Sequence, residues 1–291
     1  MESIIPQLIL NSIIAGSIYA LIALGFNLIF GATKFFNIGH GAISAIGGYA
    51  VFLLSKQWGW DLYLSIIIAV FFSGLIGYLS EKLIYLPMRN KKASGMVMLV
   101  ASLGFFTAMQ AIVAIIFTSQ FQTLSQNIGS TKIYNLFGGV MTQTQLWILI
   151  AGVIITIVLT IVMNRTKFGK AVKAISDDNE VAKIVGINTN KIIGWVFFIG
   201  SAIAGVAGIA IGFDTGIEPT MGMVLLFKGV IASIIGGVGN VYGGVFGAFF
   251  LGFVENFGIW KISGEWKDAI AFGVLILFLI FKPNGIFGKK K

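Results

Sequence analysis

Residues 165–191 read RTKFGKAVKAISDDNEVAKIVGINTNK, the longest stretch of the chain that cannot lie in a lipid bilayer. The stretch contains six basic and three acidic side chains. Asp177 can cap a helix, and Glu180 three residues later completes a weak capping box. Gly186 can end such a helix in the left-handed conformation. The pattern therefore predicts a short helix outside the membrane.

The same stretch carries apolar residues at helical spacing. They are Ala171, Val172 and Ile175 in an earlier turn, and Val181, Ala182 and Val185 in the later one. This apolar stripe has two interpretations. It either packs on the transmembrane helices of its own chain beneath a solvated loop, or it docks on something outside the membrane.

Composition sets the class of protein. Of 291 residues, 57% are hydrophobic and 11% are charged, and the mean hydropathy is +0.95. Such values indicate an integral membrane protein, and we expect an all-α, polytopic bundle of eight or nine transmembrane segments with broken or re-entrant helices. The net charge of +9 would suggest nucleic acid for a soluble protein. Here the positive-inside rule explains it, and no nucleic-acid partner is expected.

Apolar segments recur along the whole chain. They cover residues 7–30, 42–54, 62–79, 95–118, 145–163, 192–213, 220–236, 241–260 and 269–281. The second segment is short for a complete span. The N-terminus lies outside if this segment crosses the membrane and inside if it is re-entrant.

Basic residues orient the chain. The loop 81–93, the central stretch and the tail 282–291 hold 14 of the 20 Lys and Arg residues. The positive-inside rule places all three in the cytoplasm. Even numbers of spans separate them, so the assignment is self-consistent.

Adjacent glycines are costly inside a helix. The pairs at 47–48, 236–237 and 243–244 therefore predict unwound or broken helices, which membranes tolerate where backbone is buried in protein or lines a cavity. Other glycines recur every fourth residue, a spacing that lets helices approach closely.

Few charged residues fall within the apolar segments. An ionisable residue there is a functional candidate, although a lysine can also snorkel or bond backbone carbonyls, and a glutamate can lie near a surface. The sequence leaves open whether Lys228 and Glu255 pair. We expect His40 to be a capping or packing residue rather than a proton relay. The candidate translocation residues are Asn37, His40, Gly41, Lys228, Gly236, Gly237 and Glu255.

Motifs for catalysis and cofactors are missing from the sequence. No P-loop, H-E-x-x-H or G-x-S-x-G pattern occurs. One histidine and no cysteine leave no zinc ligand set. We therefore expect no catalytic residue, no metal site and no cofactor bound by this chain, which would not be an enzyme.

Four motifs in order resemble one family. They are AGSIYALIALGFNLIFGATKFFNIGHGAISAIGGY at 15–49, GKAVKAISDDNEVAKIVGIN at 169–188, MGMVLLFKGVIASIIGGVGNVYGGVFGAFFLGFVENFG at 221–258, and KPNGIFGKKK at 282–291. Together they are similar to permease subunits of branched-chain amino acid ABC importers, in particular the H-type permease. Gly39 and Lys170 depart from the common pattern of that family without disturbing the match. Close relatives of the family carry urea, short-chain amides or other amino acids.

The resemblance implies one permease domain over 1–291, in a bacterial or archaeal plasma membrane, with 164–191 as the cytoplasmic loop that couples it to an ATPase. It implies a paralogous second permease, two ATPases that bind ATP and Mg²⁺, and an extracytoplasmic binding protein as partners, besides membrane lipid. The implied coupling residues are Gly169, Ala171, Ala174, Asp178, Val181, Ala182, Val185 and Gly186. The alternative is a stand-alone secondary transporter or channel for a small polar solute such as urea or an amide, which would need this chain alone.

Overall fold

A long buried helix, α1 (Ile4–Thr33), forms the centre of the fold. Its 30 residues include no charged side chain, and nearly all positions from Ser12 onwards are buried. A helix so apolar on every side can be stable only when neighbours surround it. The structure is a computed structural model that describes residues 4–125, 132–136 and 138–288.

The first half of the chain is helical up to a small hairpin. Its helices are α2 (Gly39–Val51) with a π-helical extension (Phe52–Gln57), α3 (Leu62–Ser80) with a π-helical turn (Glu81–Tyr85), α4 (Leu86–Asn90) and α5 (Gly95–Phe117). Two antiparallel strands follow, β1 (Ile133–Leu136) and β2 (Gly139–Thr142).

The second half is helical throughout its described part. It comprises α6 (Gln143–Arg165), α7 (Lys167–Asp177), α8 (Asn179–Ile184), α9 (Thr189–Asp214), α10 (Met221–Gly236), α11 (Val241–Gly258) and α12 (Lys267–Phe281). Two short 3₁₀ turns, Ile259–Lys261 and Gly264–Trp266, connect the last two helices.

Six helices of the described residues are long and apolar enough to cross a membrane. They are Ile4–Thr33, Leu62–Asn90, Gly95–Phe117, Gln143–Arg165, Thr189–Asp214 and Val241–Lys261. The shorter apolar helix α10 packs among them. The protein is thus an all-α, multi-pass membrane protein, as the composition predicts.

The basic segments meet at one end of the bundle, which we call the basic end. There the Lys34 Nζ after α1 donates to Ser176 Oγ in α7. At the opposite end, the Gln7 side chain near the start of α1 bonds both backbone groups of Val140 in the hairpin. Helix α2 returns towards this opposite end, where Tyr49 packs on Phe117. The short second segment therefore traverses the bundle, and the N-terminus lies opposite the basic segments.

Glycines bring the central helices into backbone contact. A Cβ added to Gly208 in α9 would lie 1.7 Å from the carbonyl oxygen of Ser44 in α2. A Cβ on Gly47 would lie 2.6 Å from the backbone of Gly205. The four-residue glycine spacing thus serves close helix packing.

The predicted helix breaks are only partly present. Helix α10 ends at Gly236, and Gly237 has a φ of +108°, so the break at 236–237 is confirmed. The predictions at 47–48 and 243–244 were wrong, because both pairs lie within continuous helices. Their helices tolerate them because they allow contacts that a side chain would block.

We predict that the basic end faces the cytoplasm. A single cysteine replacing Lys173 in this cysteine-free chain should resist an impermeant thiol reagent added to intact cells and react after the cells are opened. A cysteine replacing the exposed Tyr134 of the hairpin should react in intact cells. The reverse labelling pattern would show that the basic end faces the outside of the cell. Lys290 offers the same test from the tail but lies outside the described residues.

We further predict that Gly208→Ala destabilises the protein by roughly 1–3 kcal/mol, because the new methyl group meets backbone that cannot rotate away. Gly104→Ala in α5 is the matched control, since no atom lies within 4 Å of the added Cβ. That control should be neutral or stabilising by about 0.5–1 kcal/mol, the helix-propensity difference. Thermal unfolding of the purified variants measures both effects. Equal melting temperatures for the two variants would contradict the close contact of Gly208 with Ser44.

Candidate functional site

Helices α7 and α8 form a helical hairpin, separate from the hairpin of β1 and β2. It lies at the basic end and is firmly attached to the bundle. The Lys173 Nζ donates to Asn164 Oδ1 at the end of α6, at 2.7 Å. A Cβ on Gly169 would lie 2.4 Å from the carbonyl oxygens of Val162 and Met163, so α7 packs directly on the last turn of α6. Together with the bond between Lys34 and Ser176, these contacts join the hairpin to α1 and α6.

The connection between α7 and α8 differs by one residue from the prediction. Asp178, not Asp177, caps α8, and its Oδ1 accepts from the backbone N–H groups of Glu180 and Val181 at 2.8 and 3.1 Å. Asp177 is instead the last residue of α7. Gly186 has a φ of +85°, as predicted, and its N–H donates to the carbonyl of Lys183.

The predicted apolar stripe divides between two faces. Ala182 is 1% exposed and belongs to the core, so it does not lie on the exposed face where the sequence placed it. Val181, Ile184 and Val185 are 53%, 83% and 68% exposed. The alanine faces inwards because α8 needs one small residue against the bundle. Ile184, the most exposed of the three, is not among the residues that helical spacing predicted for this face.

In α7 the apolar positions face the bundle. Val172 and Ile175 are buried in the core, and Ala171 and Ala174 are half-buried. The two interpretations of the stripe therefore hold for different helices. Helix α7 packs on its own bundle, and α8 presents an apolar surface outwards.

The polar junction before α2 is buried. Asn37 accepts a hydrogen bond from the Tyr85 hydroxyl at 3.0 Å. His40 is fully buried beside Gly25 of α1. Gly41 packs on the backbone of Gly222 in α10. These three predicted residues thus lie in one region.

The break between α10 and α11 forms a second polar region. Asn27 of α1 accepts from the N–H of Gly239 at 2.8 Å. The chain tail closes the end of α10, because the Ile286 N–H donates to the Ile235 carbonyl at 2.9 Å and the Phe287 N–H donates to the Gly236 carbonyl at 3.0 Å. Asn27, a single amide within an apolar run, was the sequence signal that could have revealed this contact.

Lys228 and Glu255 form a buried ion pair. The Lys228 Nζ lies 2.7 Å from Glu255 Oε1 and 2.7 Å from Asp268 Oδ1. The Tyr19 hydroxyl donates to Glu255 Oε2 at 2.8 Å, and Lys267 Nζ lies 3.9 Å from the same oxygen. We call these five side chains the ion cluster. Sequence reasoning identified the first two but missed the others, which come from α1 and the start of α12.

The structure separates the predicted translocation residues into these three regions. The ion cluster holds Lys228 and Glu255, the junction holds Asn37, His40 and Gly41, and the break holds Gly236 and Gly237. In the described residues, no group of three or more His, Cys, Asp or Glu side chains could bind a metal ion.

Glu255→Ala should destabilise the protein strongly. Removing one partner of a buried ion pair costs about 3–5 kcal/mol. We expect the lower end of this range, because Lys228 keeps Asp268 as a partner. The exposed pair of Lys183 and Glu180 provides the control, and Glu180→Ala should cost about 0–1 kcal/mol. If both variants lose a similar free energy of unfolding, the buried pair contributes no more to stability than the exposed pair does.

Comparison with known proteins adds independent information. A family model described as "Branched-chain amino acid transport system / permease component" matches residues 8–279. The chain is 30% identical to the high-affinity branched-chain amino acid transport system permease protein BraD of Pseudomonas aeruginosa, with 97% of this chain and 95% of that protein covered. It is also 30% identical, over the same shares, to the corresponding LivH protein of Escherichia coli.

Among solved structures, PsaBC from Streptococcus pneumoniae in complex with Fab is similar in fold. The TM-score is 0.53 at 13% sequence identity, with 94% of this chain and 91% of that chain covered. This likeness concerns the fold alone. The match over residues 8–279 and the identity to two permeases over nearly their whole length agree with the four sequence motifs, and the chain therefore belongs to the family of permease components of branched-chain amino acid transport systems.

Proposed function

We propose that this chain is a permease subunit of a binding-protein-dependent ABC importer in a bacterial or archaeal plasma membrane. It would form one permease domain over 1–291, with 164–191 as the loop that couples it to an ATPase. The family supports the role of permease. The clustering of the basic segments at one end supports a cytoplasmic location for the hairpin.

The exposed apolar face of α8 is the observation that carries this proposal. Val181, Ile184 and Val185 would fill a groove of an ATPase subunit, the helix-in-groove mode of recognition. The hairpin is suited to transmit movement because it is anchored rather than free. Ala182 on the buried face of α8, Asp178 at its start and Gly186 after its end hold the helix in place.

The remaining coupling residues would act from α7. Gly169 allows close contact with α6, and Ala171 and Ala174 lie half-buried between α7 and the bundle. When ATP binding brings the two ATPases together, a pull on α8 would reach α6 through this packing. ATP and Mg²⁺ would bind to the ATPases and not to this chain.

A second permease and a binding protein would complete the importer. In the most apolar stretch of 18 residues, only 17% of the residues of α5 and 22% of those of α6 are buried within this chain. These surfaces are available to lipid and to a paralogous permease. The translocation pathway would involve the junction at Asn37, His40 and Gly41, the break at Gly236 and Gly237, and the pair Lys228–Glu255.

The transported solutes would be branched-chain amino acids, as the names of the similar permeases suggest. A stand-alone carrier is less well supported. A proton- or sodium-coupled carrier usually places available carboxylates in its core. Here the carboxylate of Glu255 is already bonded on both oxygens.

We predict that Ile184→Asp weakens ATPase binding and abolishes uptake while the permease stays folded. The residue is 83% exposed, so the new charge disturbs the groove of the partner and not the core. Lys183→Ala, one residue away, is the matched control and should be mild. Pull-down of the ATPase measures assembly, and ATP hydrolysis in proteoliposomes measures coupling.

Two further variants refine this test. Ala182→Asp should also disrupt coupling, but through loss of folding, since its side chain is buried. Gly186→Val forces a β-branched residue into a left-handed conformation, at about 1–2 kcal/mol locally. Normal assembly and transport by Ile184→Asp would remove α8 from the mechanism.

A further inference from the structure

The ion cluster joins the middle of α10 to the start of α12, and both of these helices are short. Helix α10 has 16 residues and α12 has 15, so they measure about 24 and 22 Å, less than the roughly 30 Å of a hydrocarbon core. Both have one end at the basic end, where Ile286 after α12 bonds Ile235 of α10. Their other ends point away from the basic end.

Asp268 lies in the first turn of α12, at that other end. Its side chain is 63% exposed, whereas Lys228 is 7% and Glu255 is 0% exposed. A carboxylate within the depth of the membrane is costly when it faces lipid, so it faces water or protein. The contact between Lys228 and Asp268 is therefore accessible from the Asp268 side.

The two carboxylates that bind Lys228 are not equivalent. Glu255 is buried and has a second bond from Tyr19, so its pairing with Lys228 is fixed by the surroundings. Asp268 is exposed and has no such shielding. The contact between Lys228 and Asp268 is therefore the one that an incoming solute can replace.

We propose that Lys228 and Asp268 bind the zwitterionic head group of an amino acid that enters between them, an inference that rests on the proposed function. The carboxylate of the solute pairs with Lys228 and its ammonium group pairs with Asp268. Every charge keeps an opposite partner, and the net charge of the cluster is unchanged. A solute with one charge would leave Lys228 or Asp268 unpaired in a region of low dielectric, which is costly.

Apolar residues beside the pair suit a branched aliphatic side chain. Val224 lies four residues before Lys228 on α10, and Phe272 lies four residues after Asp268 on α12, so each shares a helix face with its charged neighbour. They are 49% and 42% exposed. Phe227 packs edge-on against Phe272, with ring centroids 5.8 Å apart, and extends this apolar surface.

Asp268→Cys tests the site, because the chain contains no other cysteine. The variant is assembled with its second permease and ATPases in proteoliposomes, and leucine uptake is measured with the binding protein present. We expect the KM for leucine to rise about tenfold. Reaction of the thiol with sulfonatoethyl methanethiosulfonate restores a negative charge and should recover most of the affinity. The trimethylammonium-ethyl reagent should not, and leucine delivered by the binding protein should slow both reactions.

Glu265→Cys is the matched control, three residues earlier and also exposed. It should show wild-type uptake with either reagent, which establishes the importer itself independently of this site. Asp268→Asn should raise the KM as well, with little change in thermal unfolding. An unchanged KM in both Asp268 variants, or equal effects of the two reagents, would overturn the proposal and leave the cluster as a tether between helices.

Discussion

The structure depends on one constraint, that backbone N–H and C=O groups within a bilayer must find partners inside the protein. Continuous helices meet it locally, but the chain between α10 and α11 does not. There the carbonyls of Ile235 and Gly236 accept bonds from the tail, and the N–H of Gly239 donates to Asn27. The tail is therefore part of the bundle, and it brings α12 into register with α10.

Close helix packing is the second consequence of the lipid environment. Without a hydrophobic force between helices, association relies on van der Waals contact, which small residues make possible. The contacts of Gly208 with Ser44 and of Gly47 with Gly205 bring α2 and α9 together at backbone distance. Helices α9, α10 and α11 surround α1, and α5 and α6 are outer helices. The hairpin at the basic end is attached to α1 and α6, so it reaches both the centre and the periphery of the bundle.

The distribution of charge accords with a permease whose energy comes from separate subunits. The ion cluster contains two lysines and two carboxylates, and it is neutral as a whole. It has no spare buried carboxylate to carry a proton. In the proposed importer, the energy for movement would come from the ATPases through α8. The short helices and the ion cluster would then form the part of the permease that meets the solute.

Sequence alone determined the class of protein, the approximate spans and the position of the α7–α8 hairpin along the chain. These follow from hydropathy and charge, which act over local stretches of chain. It also determined that Gly186 ends a helix, because that requirement is local to one residue. The four motifs indicated the family for a similar reason, since each is a contiguous run of residues whose pattern does not depend on what packs against it.

Tertiary structure alone decided which side chains meet. Whether Ala182 faces the bundle or the solvent depends on how α8 lies against its neighbours, and helical spacing does not contain that information. Likewise, adjacent glycines break a helix at 236–237 but permit close packing at 47–48, according to what lies opposite them. The pairing of Lys228 with Glu255 and Asp268 joins residues from three helices. Sequence marked two of these charges as costly in a membrane, and only the packing of α10, α11 and α12 brought them within bonding distance.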